Sequence, residues 1–161
     1  MKLMITNVGY NKLKIQLSEL HVKRREIMTE MREVKENCLS SDDTSELNQY
    51  RMTLDALEEN INKISNAMEN SKIIDVTTIS TDKVRFGHRV IIEDLDTALQ
   101  TVVNLVSIYE SDPKNGFISV ASPLGMALCG MEVGDVVDFK APNGNKEYEI
   151  ISIETMDVMV D

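Results

Sequence analysis

YNKLKIQLSELHVKRREIMTEMREVKENC, residues 10–38, decides the fold. Stepping from Tyr10 by three and then four residues visits Leu13, Leu17, Leu20, Arg24, Ile27, Met31, Val34 and Cys38, and only Arg24 interrupts the apolar series. That alternation lays one stripe of side chains along one side of an α-helix, the seam of a coiled coil. The same step from Leu47 visits Tyr50, Leu54, Leu57, Ile61, Ile64 and Met68. No proline or glycine falls between Tyr10 and Ser71, and Gly9 precedes the first run with Thr6 or Asn7 placed to cap it. Between the runs lies LSSDDTSEL, residues 39–47, small and polar. Two heptad runs joined by a short polar turn predict an antiparallel coiled-coil hairpin. At about 30 residues per helix, the arm is roughly 45 Å long.

Near Ile73 the period changes. IIDVTTI, VRFGHRVIIEDL, QTVVNLVSIY, GFISV, VGDVVDF and KEYEIISI are short and rich in β-branched residues, as strands are. KAPNGN joins the last two, and its Asn-Gly favours a tight hairpin. SPLGMALCG reads as a short helix, with Ser122 as N-cap, Pro123 in the first helical position and Gly130 just past the end. The expected fold is therefore α+β. An N-terminal helical hairpin over residues 1–75, its acidic tip at 40–46, precedes a small, mostly antiparallel β domain with one short helix over 76–161.

Charge is unevenly spread. Residues 1–75 hold 11 Lys and Arg against 13 Asp and Glu, whereas residues 76–161 hold 6 against 14. Such a second half does not suit naked nucleic acid, which needs clustered cations. Cys38, Cys129, His21 and His88 have no metal-ligand spacing, and two reduced, buried thiols are expected. His88, in RFGHRV, reads as a residue on the sheet surface, since no nucleophile motif accompanies it. No phosphate-binding glycine loop occurs. No run reaches the apolar length of a membrane span, and the N-terminus lacks the apolar core of a signal peptide. No membrane partner and a cytoplasmic location are expected.

Asp42, Asp43 and Glu46 stand at the turn between the helices. Asp43 with Glu46 three residues later has the spacing of a capping box, and acids in a first turn suit the helix dipole, so helix initiation alone explains them. The same carboxylates also make a concentrated anionic point. Mg²⁺ takes one or two protein carboxylates and keeps several waters, so such a tip could complete the shell of an ion held mainly by another macromolecule. Along the hairpin, Arg24, Arg25, Arg32, Lys35 and Arg51 read either as a solvated helix face or as a basic strip that steadies an RNA end or an acidic protein wall.

SPLGMALCGMEVGDVVDFKAPNGNKEYEI closely resembles the C-terminal segment of the bacterial Gre transcript-cleavage factors. The shared pattern is Ser122, Pro123, Ala127, Leu128 and Gly130, then Gly134, Asp135 and Val137, then Pro142 and Gly144, then Tyr148. SNAMENSKIIDV resembles the family's helix end and linker. The resemblance implies a coiled-coil hairpin followed by an FKBP-like antiparallel β domain. It implies that the β domain docks on bacterial-type RNA polymerase at the rim of the secondary channel, through Ser122, Pro123, Met126, Leu128 and Met131. The hairpin would enter the channel, and its tip acids would help hold a catalytic Mg²⁺ shared with the polymerase, which then cuts its own backtracked transcript.

DTSELNQY matches the family tip at Asp43, Ser45, Glu46 and Tyr50. That alignment makes Asp43 and Glu46 the metal-side pair, and a gap-free one offers Asp42 instead. The chain departs from the family pattern in two places: Glu46-Leu47-Asn48-Gln49 carries one acid fewer, and Met126 and Met131 replace basic residues. Three functions are compatible with these residues. The first is an accessory cleavage factor, not itself a nuclease, touching the nascent RNA 3′ end only through the polymerase and acting as a monomer. The second is a channel-occupying regulator that stimulates no cleavage. The third is a plain protein-interaction module.

Overall fold

The computed structural model describes residues 2–37 and 44–157. The chain divides into two compact units, Asn11–Asn70 on the one hand and Met1–Tyr10 with Ser71–Asp161 on the other.

The first unit is the hairpin. Helix α1 spans Asn7–Asn37 and α2 spans Thr44–Glu69. Thr6 caps α1, its hydroxyl accepting the Gly9 N–H at 3.0 Å, a contact that typically contributes about 1 kcal/mol. On α1, Leu13 and Met31 are buried, Leu17, Leu20, Arg24, Ile27 and Val34 are half-buried, and the residues between them are exposed. On α2, Leu57, Ile61, Ile64 and Ala67 are buried, with Leu47, Tyr50, Leu54 and Met68 half-buried. The heptad stripes are thus the covered faces. Two cross-helix relations show the helices antiparallel: Arg24 bonds Glu58 at 2.8 Å, while Glu30 and Glu33, later on α1, act on Tyr50, earlier on α2.

Strand β1, Leu3–Thr6, precedes α1, and β2, Ser71–Ile74, follows α2; they pair in parallel from Leu3 with Ser71 to Thr6 with Ile74. This pairing corrects the division expected from sequence. The hairpin does not take all of residues 1–75, because its flanks are strands that group with the β domain.

The β domain has one sheet of five strands in the order β5-β4-β3-β7-β6. They are β3 His88–Asp94, β4 Gln100–Val106, β5 Phe117–Ser119, β6 Val136–Ala141 and β7 Gly144–Thr155. All neighbours are antiparallel except β4 and β5, which are parallel. A bulge places Ser152 opposite Ile91 but Ile150 opposite Ile92, leaving Ile151 as the extra residue and adding twist. The β6–β7 hairpin turns at Pro142–Asn143, since Ala141 pairs with Gly144, one residue earlier than the Asn-Gly pair implied.

Helix α3, Pro123–Leu128, packs on one sheet face, where Leu128 joins Val84, Val90, Ile92, Leu105 and Ile150 in the core. A smaller cluster, Val76, Val106 and Met156, has Phe117 packed against it. The later parts of two segments read as strand, IIDVTTI and QTVVNLVSIY, fall instead in single 3-10 turns, Val76–Thr78 and Ile108–Glu110.

Candidate functional site

Three regions carry the residues that sequence singled out. At the hairpin tip, Glu46 lies in the first turn of α2 and is exposed. The dipole of that turn favours an anion there. Asp42 and Asp43 lie outside the described residues, as does Cys38. One turn on, Tyr50 reports the local field. Its phenol is pushed above the ordinary value, first by burial and then by the charges of Glu30, Glu46 and Glu33. Carboxylates from both helices therefore contribute to the field at Tyr50. Among the described residues no cluster of three or more His, Cys, Asp or Glu is arranged to hold a metal ion. An exposed carboxylate such as Glu46 fits a Mg²⁺ ion whose other ligands come from elsewhere, because that ion keeps waters and needs few protein oxygens.

The basic residues divide into two kinds. Arg24 is half-buried in the seam and bound to Glu58. Arg25, Arg32, Lys35 and Arg51 are exposed. Arg25 borders a shallow open groove on α1 with Val22, Glu26, Thr29 and Glu30, so acids interleave with it.

The third region is the α3 segment. Ser122 is its N-cap: the hydroxyl accepts the Gly125 N–H at 3.1 Å and donates to the Ser119 carbonyl at 2.6 Å. Pro123 occupies the first turn, and Gly130 follows the helix at φ 86°. The segment is stitched to the core by Gly130 N–H to the Val84 carbonyl and Val84 N–H to the Met131 carbonyl, both 2.8 Å. Met126 is 62% exposed and Met131 37%. Leu128 needs a correction: it is fully buried, because the third and sixth helical residues face the sheet, and it holds the segment up instead of presenting it. Cys129 is half-buried, and burial pushes its thiol up.

His88 is also corrected. It has no exposed surface. It shares the inward side of β3 with Val90 and Ile92, and its Nδ1 accepts the Arg85 N–H at 3.0 Å. Sequence reasoning missed Glu110 altogether. Ser107-Ile108-Tyr109-Glu110 has the capping-box spacing, and both reciprocal bonds form; that spacing was the available signal. It also missed Asp94, whose carboxyl is held below the ordinary range first by the Asp96 N–H, with the Lys146 ammonium 3.2 Å away adding to the effect. No helix among the described residues is long and apolar enough to cross a membrane.

Comparison with known proteins agrees with this anatomy. Residues 79–155 match the family model described as transcription elongation factor, GreA/GreB, C-term. The chain is similar to transcription elongation factor GreA of Thioalkalivibrio sulfidiphilus, 37% identical over 152 residues that cover 93% of this chain and 96% of that one. It is similar to transcription elongation factor GreA of Orientia tsutsugamushi, 34% identical over 157 residues, covering 95% and 96%. The crystal structure of GreA factor homolog 1 (Gfh1) of Thermus thermophilus is 26% identical, covers 96% of this chain and 99% of that one, and superposes with a TM-score of 0.46. Relatives above 30% identity along nearly the whole sequence place the chain in a family: it belongs to the GreA/GreB transcription elongation factors.

Proposed function

We propose that this protein binds bacterial-type RNA polymerase as a monomer, inserts the α1–α2 arm into the secondary channel and stimulates Mg²⁺-dependent cleavage of backtracked RNA. The observation that carries this reading is the exposed carboxylate of Glu46 in the first turn of α2, with Glu30 and Glu33 of α1 acting on the same Tyr50. An arm stiffened by two heptad seams delivers that anionic point into a narrow passage. The protein supplies ligands and no active site of its own: Glu46 with Asp43, or Asp42 in its place, would share a Mg²⁺ ion with the polymerase. When bound, that ion stabilises the attacking and leaving oxygens of phosphoryl transfer. Arg25, Arg32, Lys35 and Arg51 are the exposed cations available to the channel wall or to the RNA end, which the protein meets only inside the polymerase. Ser122 and Pro123, with Met126 and Met131 as adaptable apolar contacts, form the docking surface of the β domain.

A second reading is that the arm occupies the channel without promoting cleavage. The Glu46-Leu47-Asn48-Gln49 run, one acid short of the family tip, favours it. One experiment separates the two. A backtracked polymerase complex with end-labelled RNA and Mg²⁺ is given the protein. Shortened RNA supports cleavage, and intact RNA with slowed synthesis supports the channel-blocking alternative.

A further inference from the structure

The Glu110 carboxylate gathers hydrogen bonds from two segments distant in the chain. Its Oε2 accepts the Ser107 hydroxyl at 2.8 Å and the Ser107 N–H at 3.4 Å, which closes the capping box of its own turn. The same oxygen accepts the Thr6 N–H at 3.3 Å, and Oε1 accepts the Thr6 hydroxyl. The Thr6 hydroxyl in turn accepts the Gly9 N–H. The Thr6 hydroxyl thus spends its one proton on Glu110 while accepting from Gly9, which makes a relay Glu110–Thr6–Gly9. Thr6 and Ser107 are only 2% and 1% exposed. Gly9 also takes part by what it lacks, since a Cβ there would overlap the Glu110 carboxyl group.

A local capping box needs none of the Thr6 contacts. Bonds to a charged acceptor are roughly twice as strong as neutral ones, and here they grip the first turn of α1. That helix runs unbroken from Asn7 to Asn37, so whatever holds its first turn holds the base of the arm. We propose that Glu110 is a positioning residue for the cleavage reaction, fastening the root of α1 to the β4–β5 connection. This rests on the cleavage reading above. Glu110 touches neither the metal nor the RNA; it acts through the helix it anchors. The β1–β2 ladder secures the same root independently, so loss of the carboxylate loosens the arm without unfolding the domain.

The test uses the full chain with Glu110→Gln, Thr6→Val and Thr6→Ser. Amide exchange of the first turn of α1, polymerase affinity by competition, and cleavage rate at saturating protein are measured for each. Glu110→Gln and Thr6→Val should speed exchange of the Gly9 amide and its neighbours by about tenfold. They should leave polymerase affinity within about twofold and lower the saturated cleavage rate by about tenfold or more, because small misplacements of reacting groups are costly. Thr6→Ser keeps the hydroxyl and should behave as wild type. Unchanged exchange in both disruptive variants overturns the clamp. Faster exchange with an unchanged cleavage rate, or affinity falling in step with cleavage, overturns the positioning role. If wild type binds polymerase but stimulates no cleavage, the proposed function fails instead, and exchange alone then decides whether the clamp exists.

Discussion

The carboxyl group of Glu110 fills the space that a side chain on Gly9 would need. The two residues make one device, since a carboxylate can reach Thr6 only if position 9 is bare. Gly9→Ala should therefore destabilise the protein by about 1–3 kcal/mol, the usual penalty for overpacking. In a Glu110→Ala background the obstruction is gone, and the same change should become neutral or stabilising by up to about 1 kcal/mol, because alanine is the better helix former. A double-mutant cycle read by urea denaturation checks this. Equal effects of Gly9→Ala in both backgrounds would mean that the two residues are not coupled.

Met126 and Leu128 stand two positions apart in α3 yet do opposite work. Leu128→Ala should cost about 2–5 kcal/mol, since it empties a site in the main core. Met126→Ala should change stability by no more than about 0.5 kcal/mol, being largely exposed, and should weaken polymerase binding in a competition assay. Met126→Ala with undiminished affinity would remove that side chain from the docking surface.

The helical half was legible because coiled coils write their contacts into a local period. Every seam position from Tyr10 to Val34 is at least half-covered, Arg24 included, since its guanidinium finds Glu58 there. The short helix was legible for a similar reason: Ser122, Pro123 and Gly130 each act within a turn of where they stand. What escaped was written over distance. LMIT becomes a strand only by pairing with Ser71–Ile74, on the far side of the whole hairpin. His88 escaped because both sides of β3 carry an isoleucine, Ile91 outward and Ile92 inward, so alternation could not say which side also held the histidine. At the tip, Glu46 was legible as a first-turn acid and is found there, whereas Glu110 gave a local spacing whose long-range use no pattern announces.

His88 predicts a pH dependence. Burial holds its imidazole below the ordinary value, and the nearby Arg85 charge adds to this while Asp82 opposes it. The folded protein thus resists a proton that the unfolded chain accepts from about pH 6.5 downward. Stability from neutral His88 is complete above that pH and falls as the pH drops toward the lowered folded value. Asp75, Asp82 and Asp94, all depressed, withdraw their contributions only at lower pH, below the usual carboxylate range. Between pH 7 and 5 the denaturation midpoint of wild type should fall more steeply than that of His88→Asn, whose side-chain oxygen can still accept the Arg85 N–H. Parallel slopes would rule out His88 as the source.

Glu46 decides whether the tip is chemistry or only the start of a helix. Replacing it by glutamine preserves shape and removes charge. If its role is to favour the first turn, the loss is about 0.3–1 kcal/mol of helix stability, and saturated cleavage should be nearly unchanged. If it also shares a Mg²⁺ ion with the polymerase, Glu46→Gln should cost the same small amount of stability, leave polymerase affinity intact, and lower saturated cleavage by about a hundredfold, the scale of losing one electrostatic stabiliser in a reaction site. It should also raise the Mg²⁺ concentration needed for half-maximal cleavage, which a purely structural cap would not do. Asp43→Asn and Asp42→Asn, measured beside it, identify the second carboxylate: the variant that reproduces both the rate loss and the Mg²⁺ shift is the partner of Glu46. Wild-type rates in all three would reduce the acids to helix initiation and move any stimulation of cleavage to other residues of the arm.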